Sequence, residues 1–173
     1  MEKRVPWAFA VLLGATTLSG AAALFYETLW TRSLSIILGS TVHAAAATFA
    51  AFLVGLALGA RIAGRWVERA QYLVAVYIAV EVAIAVTAGA VGTLLHGLRE
   101  PLALLVGSPD TFGRGFQSFL VTLGLVIIPT WFMGATFPVI LALARRQGAA
   151  LSAISRIYAF NTLGAALGAF ACG

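Results

Sequence analysis

The sequence predicts an all-α fold, a polytopic transmembrane helix bundle of about five spans, and two observations carry this prediction. First, 61% of the 173 residues are hydrophobic and only 10% are charged, whereas soluble domains average about 25% charged residues. The mean hydropathy is +0.99, so there are too few charges to coat a water-soluble globule. Second, the apolar residues fall into runs of about 20, the length that crosses the hydrocarbon core of a bilayer.

Five such runs follow one another in a single domain that covers residues 1–173. The predicted spans lie near Trp7–Trp30, Thr41–Gly64, Tyr72–Leu98, Phe116–Leu143 and Ile157–Gly173. The first four are long enough to tilt or bend. The fifth is the shortest and has no polar residue after it, so we expect the native chain to continue past Gly173 and the domain to be truncated here.

Three segments at or between the spans allow more than one interpretation. Lys3 and Arg4 before an apolar run are also typical of a secretory signal, although this run exceeds the usual 7–15 residues of a signal core. After the first span, residues 27–40 fit either an amphipathic connection on the membrane surface or a helical extension. Residues 99–115 contain prolines and glycines and fit either a plain loop or a short re-entrant helix.

The distribution of Lys and Arg predicts the orientation, because cytoplasmic segments carry an excess of positive charge. With strict alternation from an inside N-terminus, eight basic residues lie inside and three outside. The inside set is Lys3, Arg4, Arg61, Arg65, Arg69, Arg145, Arg146 and Arg156, and the outside set is Arg32, Arg99 and Arg114. We therefore predict a multi-pass protein of a bacterial-type inner membrane with a cytoplasmic N-terminus.

Several functional classes are disfavoured. A net charge of +5 and a pI near 10.2 would suggest a nucleic-acid ligand in a soluble protein. Here the Lys and Arg residues lie mainly in the short segments between the predicted spans, so they indicate membrane orientation instead. Cys172 is the single cysteine, and no His/Cys cluster has metal-ligand spacing, so we expect no metal and no cofactor. P-loop, GxGxxG, HExxH and GxSxG motifs are missing. The chain is expected to be noncatalytic, with membrane lipid and other membrane subunits as its partners.

Glu81 is the most distinctive polar residue, because it lies nine residues into the third span, about 13 Å deep at 1.5 Å per residue. An ionisable group at that depth costs a few kcal/mol. Two interpretations stay open: a proton, cation or basic-ligand site, or a neutral hydrogen-bonded carboxyl that fixes helix packing. Tyr77, one turn away on the same face, is its expected neighbour.

A second polar group is expected near the outer ends of the first two spans, where Glu27, Arg32 and His43 meet. Glu27 and Trp30 are three residues apart and share a helical face. The group fits an interfacial ion pair with Trp30 as an aromatic anchor, and it also fits a site for a polar or cationic ligand. His43 alone is more typical of a satisfied interfacial histidine than of a metal ligand.

Small residues recur at helical spacing and predict close helix contacts, since helices without Cβ bulk can approach one another in lipid. The positions are Gly55 and Gly59, then Ala60 and Gly64, and Gly164 and Gly168.

The fourth span contains Pro129 and Pro138, each of which removes a backbone donor and bends a helix. We expect kinks at both. Bent helices are frequent in transporters, and they also occur as static shapes.

Four ordered segments carry a family resemblance. They are residues 19–32 (SGAAALFYETLWTR), residues 39–41 with 52–59 (GST and FLVGLALG), residues 133–138 (MGATFP) and residues 157–168 (IYAFNTLGAALG). Together they resemble the N-terminal membrane region of bacterial spermidine-synthase-like proteins, the fused major-facilitator/spermidine synthase group. The resemblance implies part of a major-facilitator half, often followed by a soluble aminopropyltransferase-like domain.

The resemblance has two departures. Residues 55–65 occupy the place of the facilitator's basic loop but lack its acidic residue, and the chain stops before the glycine-rich nucleoside loop and paired acids of an aminopropyltransferase. The leading hypothesis is therefore a noncatalytic membrane domain or subunit that anchors or packs against partners. The alternatives are half of a small-molecule transporter, for polyamines or cations, and the membrane anchor of an aminopropyltransferase whose catalytic domain lies elsewhere.

Overall fold

The computed structural model describes residues 6–38, 41–97, 101 and 111–173. Within these ranges the chain forms five long α-helices and has no β-strand. A single 3-10 turn, Val67–Arg69, connects the second helix to the third. The helices are α1 (Pro6–Leu38), α2 (Thr41–Trp66), α3 (Leu73–Gly97), α4 (Thr111–Arg146) and α5 (Leu151–Cys172).

Four of these helices are long and apolar enough to cross a membrane. The qualifying segments are Phe9–Ile37, Ala45–Arg69, Leu73–Gly97 and Phe116–Arg146. Large apolar side chains also cover the outside of the bundle, among them Val11, Leu18, Leu53, Ile78, Val82 and Val86. The all-α transmembrane fold class is therefore confirmed. Helix α5 is not among the four, and a fifth crossing stays a prediction.

Two helices are longer than their predicted spans. Helix α1 runs to Leu38, so residues 27–38 are a helical extension, and neither glycine nor proline interrupts it after Gly20. Helix α5 begins at Leu151, six residues before the predicted span, because Gly148 turns the chain with a φ of 68°. The segment that fits a loop or a re-entrant helix lies mostly outside the described residues.

Helix α4 is the centre of the bundle. It packs along α2 over most of its length, against α3 on another side and more lightly against α1, while α5 packs almost entirely on α1. The main apolar core forms where α1 to α4 meet, with Trp30, Leu34, Val126 and Met133 among its buried side chains. Among the described residues, one side of α5 therefore has no helical neighbour.

Glycines bring α2 and α4 into backbone contact. A Cβ atom at Gly55 would collide with the side chain of Thr130, and one at Gly59 would collide with the carbonyl oxygen of Trp131. Gly134 of α4 lies in the same way against the carbonyl of Leu56. Any side chain at these positions would force the two helices apart.

A second close crossing joins α1 and α5. Cβ atoms at Gly164 and Gly168 would collide with the carbonyl oxygens of Thr17 and Ala21. By contrast, Gly64 has open space where its side chain would be, so its spacing from Ala60 does not mark a contact within this chain.

One end of the bundle, which contains Arg65, Arg69, Arg145 and Arg146, is called the basic end below. There the guanidinium group of Arg146 donates hydrogen bonds to the carbonyl oxygens of Glu68, Ala70 and Gln71 at 3.2, 2.5 and 3.2 Å. Arg145 forms an exposed ion pair with Glu68 at 3.0 Å. These contacts fasten the turn between α2 and α3 to the end of α4.

Candidate functional site

The Tyr77 hydroxyl links α3 to α1, because it donates a long hydrogen bond of 3.4 Å to the carbonyl oxygen of Ala15. Glu81 lies one turn further along α3, on the same helical face as Tyr77. The Oε1 atom of Glu81 is buried and has no hydrogen-bond partner. Glu81, Tyr77 and Ala15 therefore form a short polar row inside an apolar bundle.

The neighbouring stretches of α1 and α4 carry no charged side chain that could pair with Glu81. Helix α4 has no Asp, Glu, Lys, Arg or His between Phe116 and Ala144, and α1 has none between Pro6 and Tyr26. Tyr77 packs instead against an apolar cluster that includes Leu12, Leu13 and Ile140. A carboxylate in this position would be unpaired, which is costly inside a membrane.

Glu81 and Ser19 lie at a similar depth. Helices α1 and α3 run in the same direction, because only two residues separate α1 from α2 and a short 3-10 segment separates α2 from α3, so that α2 runs opposite to both. Since Tyr77 meets Ala15, one further turn along each helix reaches Glu81 on α3 and Ser19 on α1. Ser19 belongs to the cavity described next.

A cavity of about 240 Å³ lies between α1, α2, α4 and α5. Its wall is mainly apolar, with Phe52, Leu56, Met133 and Ile140 among the lining residues, and it carries no charged side chain among those residues. The polar side chains in the wall are Ser19, Thr136 and Asn161. The cavity suits a small neutral molecule, or a few waters, held by a small number of hydrogen bonds.

Pro138 adds a backbone acceptor near this cavity. A proline cannot donate to the carbonyl four residues earlier, and here that carbonyl belongs to Gly134, which lines the cavity. The two prolines nevertheless lie inside one continuous helix, α4. The Thr130 and Thr136 hydroxyls bind the carbonyl oxygens one turn back, at 2.6 and 3.2 Å. The predicted kinks at Pro129 and Pro138 stay predictions.

The four segments that carry the family resemblance meet at the cavity. Each contributes lining residues from a different helix: Ser19, Gly20, Ala23 and Leu24 from α1; Phe52 and Leu56 from α2; Met133, Gly134, Thr136 and Phe137 from α4; Asn161 and Ala165 from α5. Sequence reasoning did not single out Asn161. A signal was present, because it is an amide in an apolar stretch of α5.

The outer polar group is not assembled as the sequence suggests. Trp30 is only 2% exposed and stacks on Tyr26 with 5.7 Å between ring centroids. The interpretation of Trp30 as an interfacial anchor is therefore wrong, because α1 extends beyond it and turns it into the core. Glu27 is half-buried and Arg32 exposed, and the described residues show no ion pair between them. The His43 side chain lies outside the described residues.

Two further buried polar atoms without a hydrogen-bond partner belong to α4. They are Oε1 of Gln117 and Oγ1 of Thr122, both in the half of the helix far from the basic end. Burying an unpaired polar atom costs about 1–3 kcal/mol. These atoms mark a second polar region of α4.

Comparison of this chain with family models, curated proteins and solved structures found no match. Function is therefore inferred from the membrane fold, the cavity and the polar row formed by Glu81, Tyr77 and Ala15.

Proposed function

We propose that this chain is a noncatalytic integral membrane domain or subunit that packs against partner components. The observation that carries the proposal is the free side of α5. This helix rests on α1 and barely touches the rest of the bundle, and its composition alone does not qualify it as a membrane span. A helix of that kind is better accommodated against protein than against lipid on its remaining sides.

The free side of α5 also has the surface of a packing helix. Ser155, Ala159, Thr162 and Ala166 are all exposed and are spaced by four, three and four residues, which places them along one stripe. Small side chains let a neighbouring helix approach closely and gain van der Waals contact that lipid does not provide. The opposite face of α5 holds Gly164, which is already used against α1.

The resemblance to the membrane region of spermidine-synthase-like proteins supports the same proposal, since a membrane region of this kind accompanies other components. The proposed location is a bacterial-type inner membrane with the basic end in the cytoplasm. The charge distribution supports this orientation, because the arginines of the α2–α3 turn and of the end of α4 lie together.

If the chain packs against a partner through α5, a bulky residue on the stripe should break the assembly apart. Ala159→Trp should reduce the protein mass to the 18.0 kDa of one chain, because the indole prevents close approach. Val82→Trp, at a 57% exposed position on α3, should leave the assembly intact. Light scattering with size-exclusion chromatography on protein extracted from native membranes in mild detergent measures this mass. A single-chain mass for the unsubstituted protein would contradict the proposal.

The cavity favours a second candidate function, half of a small-molecule transporter. The cavity lies among four helices and combines an apolar wall with Ser19, Thr136 and Asn161, as ligand sites between helices commonly do. In this alternative the free side of α5 faces the other half of the transporter. A cation or polyamine would need an acidic partner, and Glu81 lies at the depth of Ser19.

A further inference from the structure

The cavity lies between the two tightly packed helix pairs, α1 with α5 and α2 with α4. Its lining residues come from all four helices, whereas α4 and α5 share few contacts with each other. Between α4 and α5 the rings of Phe137 and Tyr158 meet edge to face, with 6.1 Å between their centroids, and Tyr158 is 62% exposed. The side between α4 and α5 is therefore the one on which the cavity can open to a ligand.

Two polar side chains in the cavity wall form no hydrogen bond within the described part of the chain. They are the Ser19 hydroxyl and the Asn161 carboxamide, and both residues are half-buried. The nearby hydroxyls of Thr17 and Thr162 instead bind carbonyl oxygens of their own helices, at 2.8 and 3.0 Å. A Cβ atom at Gly20 would come within 2.9 Å of Oδ1 of Asn161. Asn161 therefore lies against α1 next to Ser19, and both side chains are free to bind a ligand.

The wall also offers two acceptors on α4. The Thr136 hydroxyl donates its proton to the carbonyl oxygen of Phe132 at 3.2 Å, so its oxygen can only accept a hydrogen bond from a ligand. The carbonyl of Gly134 has no helical donor, because Pro138 occupies the position four residues later. Together with the Asn161 carboxamide, which both donates and accepts, these groups suit a ligand that carries an N–H donor next to an acceptor.

The rest of the wall suits an apolar ring. Phe52, Met133 and Phe137 line it, and aromatic and thioether side chains pack well against the faces and edges of rings. The cavity volume of about 240 Å³ exceeds the roughly 150 Å³ of an apolar cavity that binds benzene. Space therefore remains for one polar group beside a ring.

We propose that this cavity binds a small uncharged molecule with a ring-sized apolar body and a carboxamide or similar donor–acceptor pair, held by Asn161 and Ser19. Such a group can exchange two reciprocal hydrogen bonds with the Asn161 carboxamide. A charged ligand does not fit, because none of the lining residues is charged and burying an unpaired charge is costly. The site does not depend on whether α5 packs against a partner.

Benzamide is a suitable probe, because it combines a benzene ring with a primary carboxamide. Equilibrium dialysis of radiolabelled benzamide against the full chain in lipid nanodiscs measures its binding, with protein-free nanodiscs as the blank. Benzoate and toluene are the matched competitors, since one replaces the carboxamide with a charge and the other has no hydrogen-bonding group. We expect benzamide to bind saturably, and both competitors to displace it at least tenfold more weakly than unlabelled benzamide does.

Two substitutions test whether benzamide lies in the cavity. Asn161→Leu keeps the approximate size of the side chain and removes the carboxamide, so benzamide should bind about tenfold more weakly. Ser19→Ala removes a single oxygen from the wall and should also weaken binding, by a smaller factor. Thr93→Val is the control, because Thr93 is an exposed residue of α3 whose hydroxyl binds its own helix. This variant should bind benzamide as the unsubstituted chain does.

Four results would overturn the proposal. The absence of saturable benzamide binding would remove the site, and unchanged binding in both Asn161→Leu and Ser19→Ala would place benzamide elsewhere. If Asn161→Leu fails to assemble, unchanged binding in Ser19→Ala alone is enough to reject the site. Toluene that competes as well as benzamide would make the cavity a purely apolar pocket, and benzoate that competes as well would contradict an uncharged ligand.

Discussion

Tyr77 shows at the scale of a residue how a membrane bundle satisfies a polar group. Its ring packs against the apolar cluster that includes Leu12, Leu13 and Ile140, while its hydroxyl donates a hydrogen bond to the Ala15 carbonyl. A tyrosine combines a large apolar body with one donor and one acceptor. It can therefore fill apolar space and still bind a polar group on a neighbouring helix.

Removing the Tyr77 hydroxyl should destabilise the bundle without changing its shape. We predict that Tyr77→Phe lowers the free energy of unfolding by about 0.5–1.5 kcal/mol, because the hydrogen bond to the Ala15 carbonyl is lost. Tyr72→Phe is the matched control, since Tyr72 is 77% exposed, and it should have almost no effect. Unfolding titrations in mixed micelles, followed by circular dichroism, measure the difference. Equal stability of the two variants would mean that the Tyr77 hydroxyl contributes no net stability.

At the scale of the helices, glycine determines which pairs come close. Gly55, Gly59 and Gly134 allow α2 and α4 to touch backbone to backbone, and Gly164 and Gly168 do the same for α1 and α5. Lipid provides no hydrophobic drive for helix association, so such close contacts supply much of the attraction. The bundle is therefore organised around two tight helix pairs, which meet where α1 packs against α2 and α4.

A bulky residue at either glycine of α2 should separate α2 from α4. We predict that Gly55→Leu and Gly59→Leu each cost about 1–3 kcal/mol, the usual range for overpacking a filled contact. Gly64→Leu belongs to the same helix but has open space around it, so it should leave stability unchanged. Thermal stability in detergent tests the three variants together. If all three were equally stable, α2 and α4 would not be in contact at these glycines.

The number and position of the helices were largely predictable, whereas their pairing was not. Apolar runs mark helices by their length, so α2 and α3 begin and end close to the predicted bounds. A glycine pattern shows that a face can pack but not which helix it meets. Gly55 and Gly64 cannot be distinguished from the sequence, whereas the structure places Thr130 beside Gly55 only. Trp30 has the same ambiguity, because a tryptophan near a span end suits both the core and the interface.

The candidate site was likewise predictable only in part. Glu81 and Tyr77 were predictable as a pair, because residues four apart share a helical face. The contact of Tyr77 with Ala15 was not, since it joins positions 62 residues apart. The cavity was not predictable either, because Ser19, Thr136 and Asn161 come from three different helices.

At the scale of the whole molecule, the charge distribution and the fold are consistent with one orientation in the membrane. Arg145 and Arg146 bind the turn between α2 and α3, so the basic residues of two chain segments lie at one end of the bundle. Two helices lie between these segments: the chain leaves the basic end with α3 and returns to it with α4. We therefore propose a bundle that crosses the membrane repeatedly with its basic end in the cytoplasm.

Accessibility of single cysteines to a membrane-impermeant maleimide tests this claim most directly. In a Cys172→Ala background, we predict that Lys3→Cys, Trp66→Cys and Gln147→Cys react only from the cytoplasmic side of the membrane, and that Ser108→Cys reacts only from the outside. Reaction of Trp66→Cys and Ser108→Cys from the same side would contradict the alternation of the spans and, with it, the proposed membrane topology.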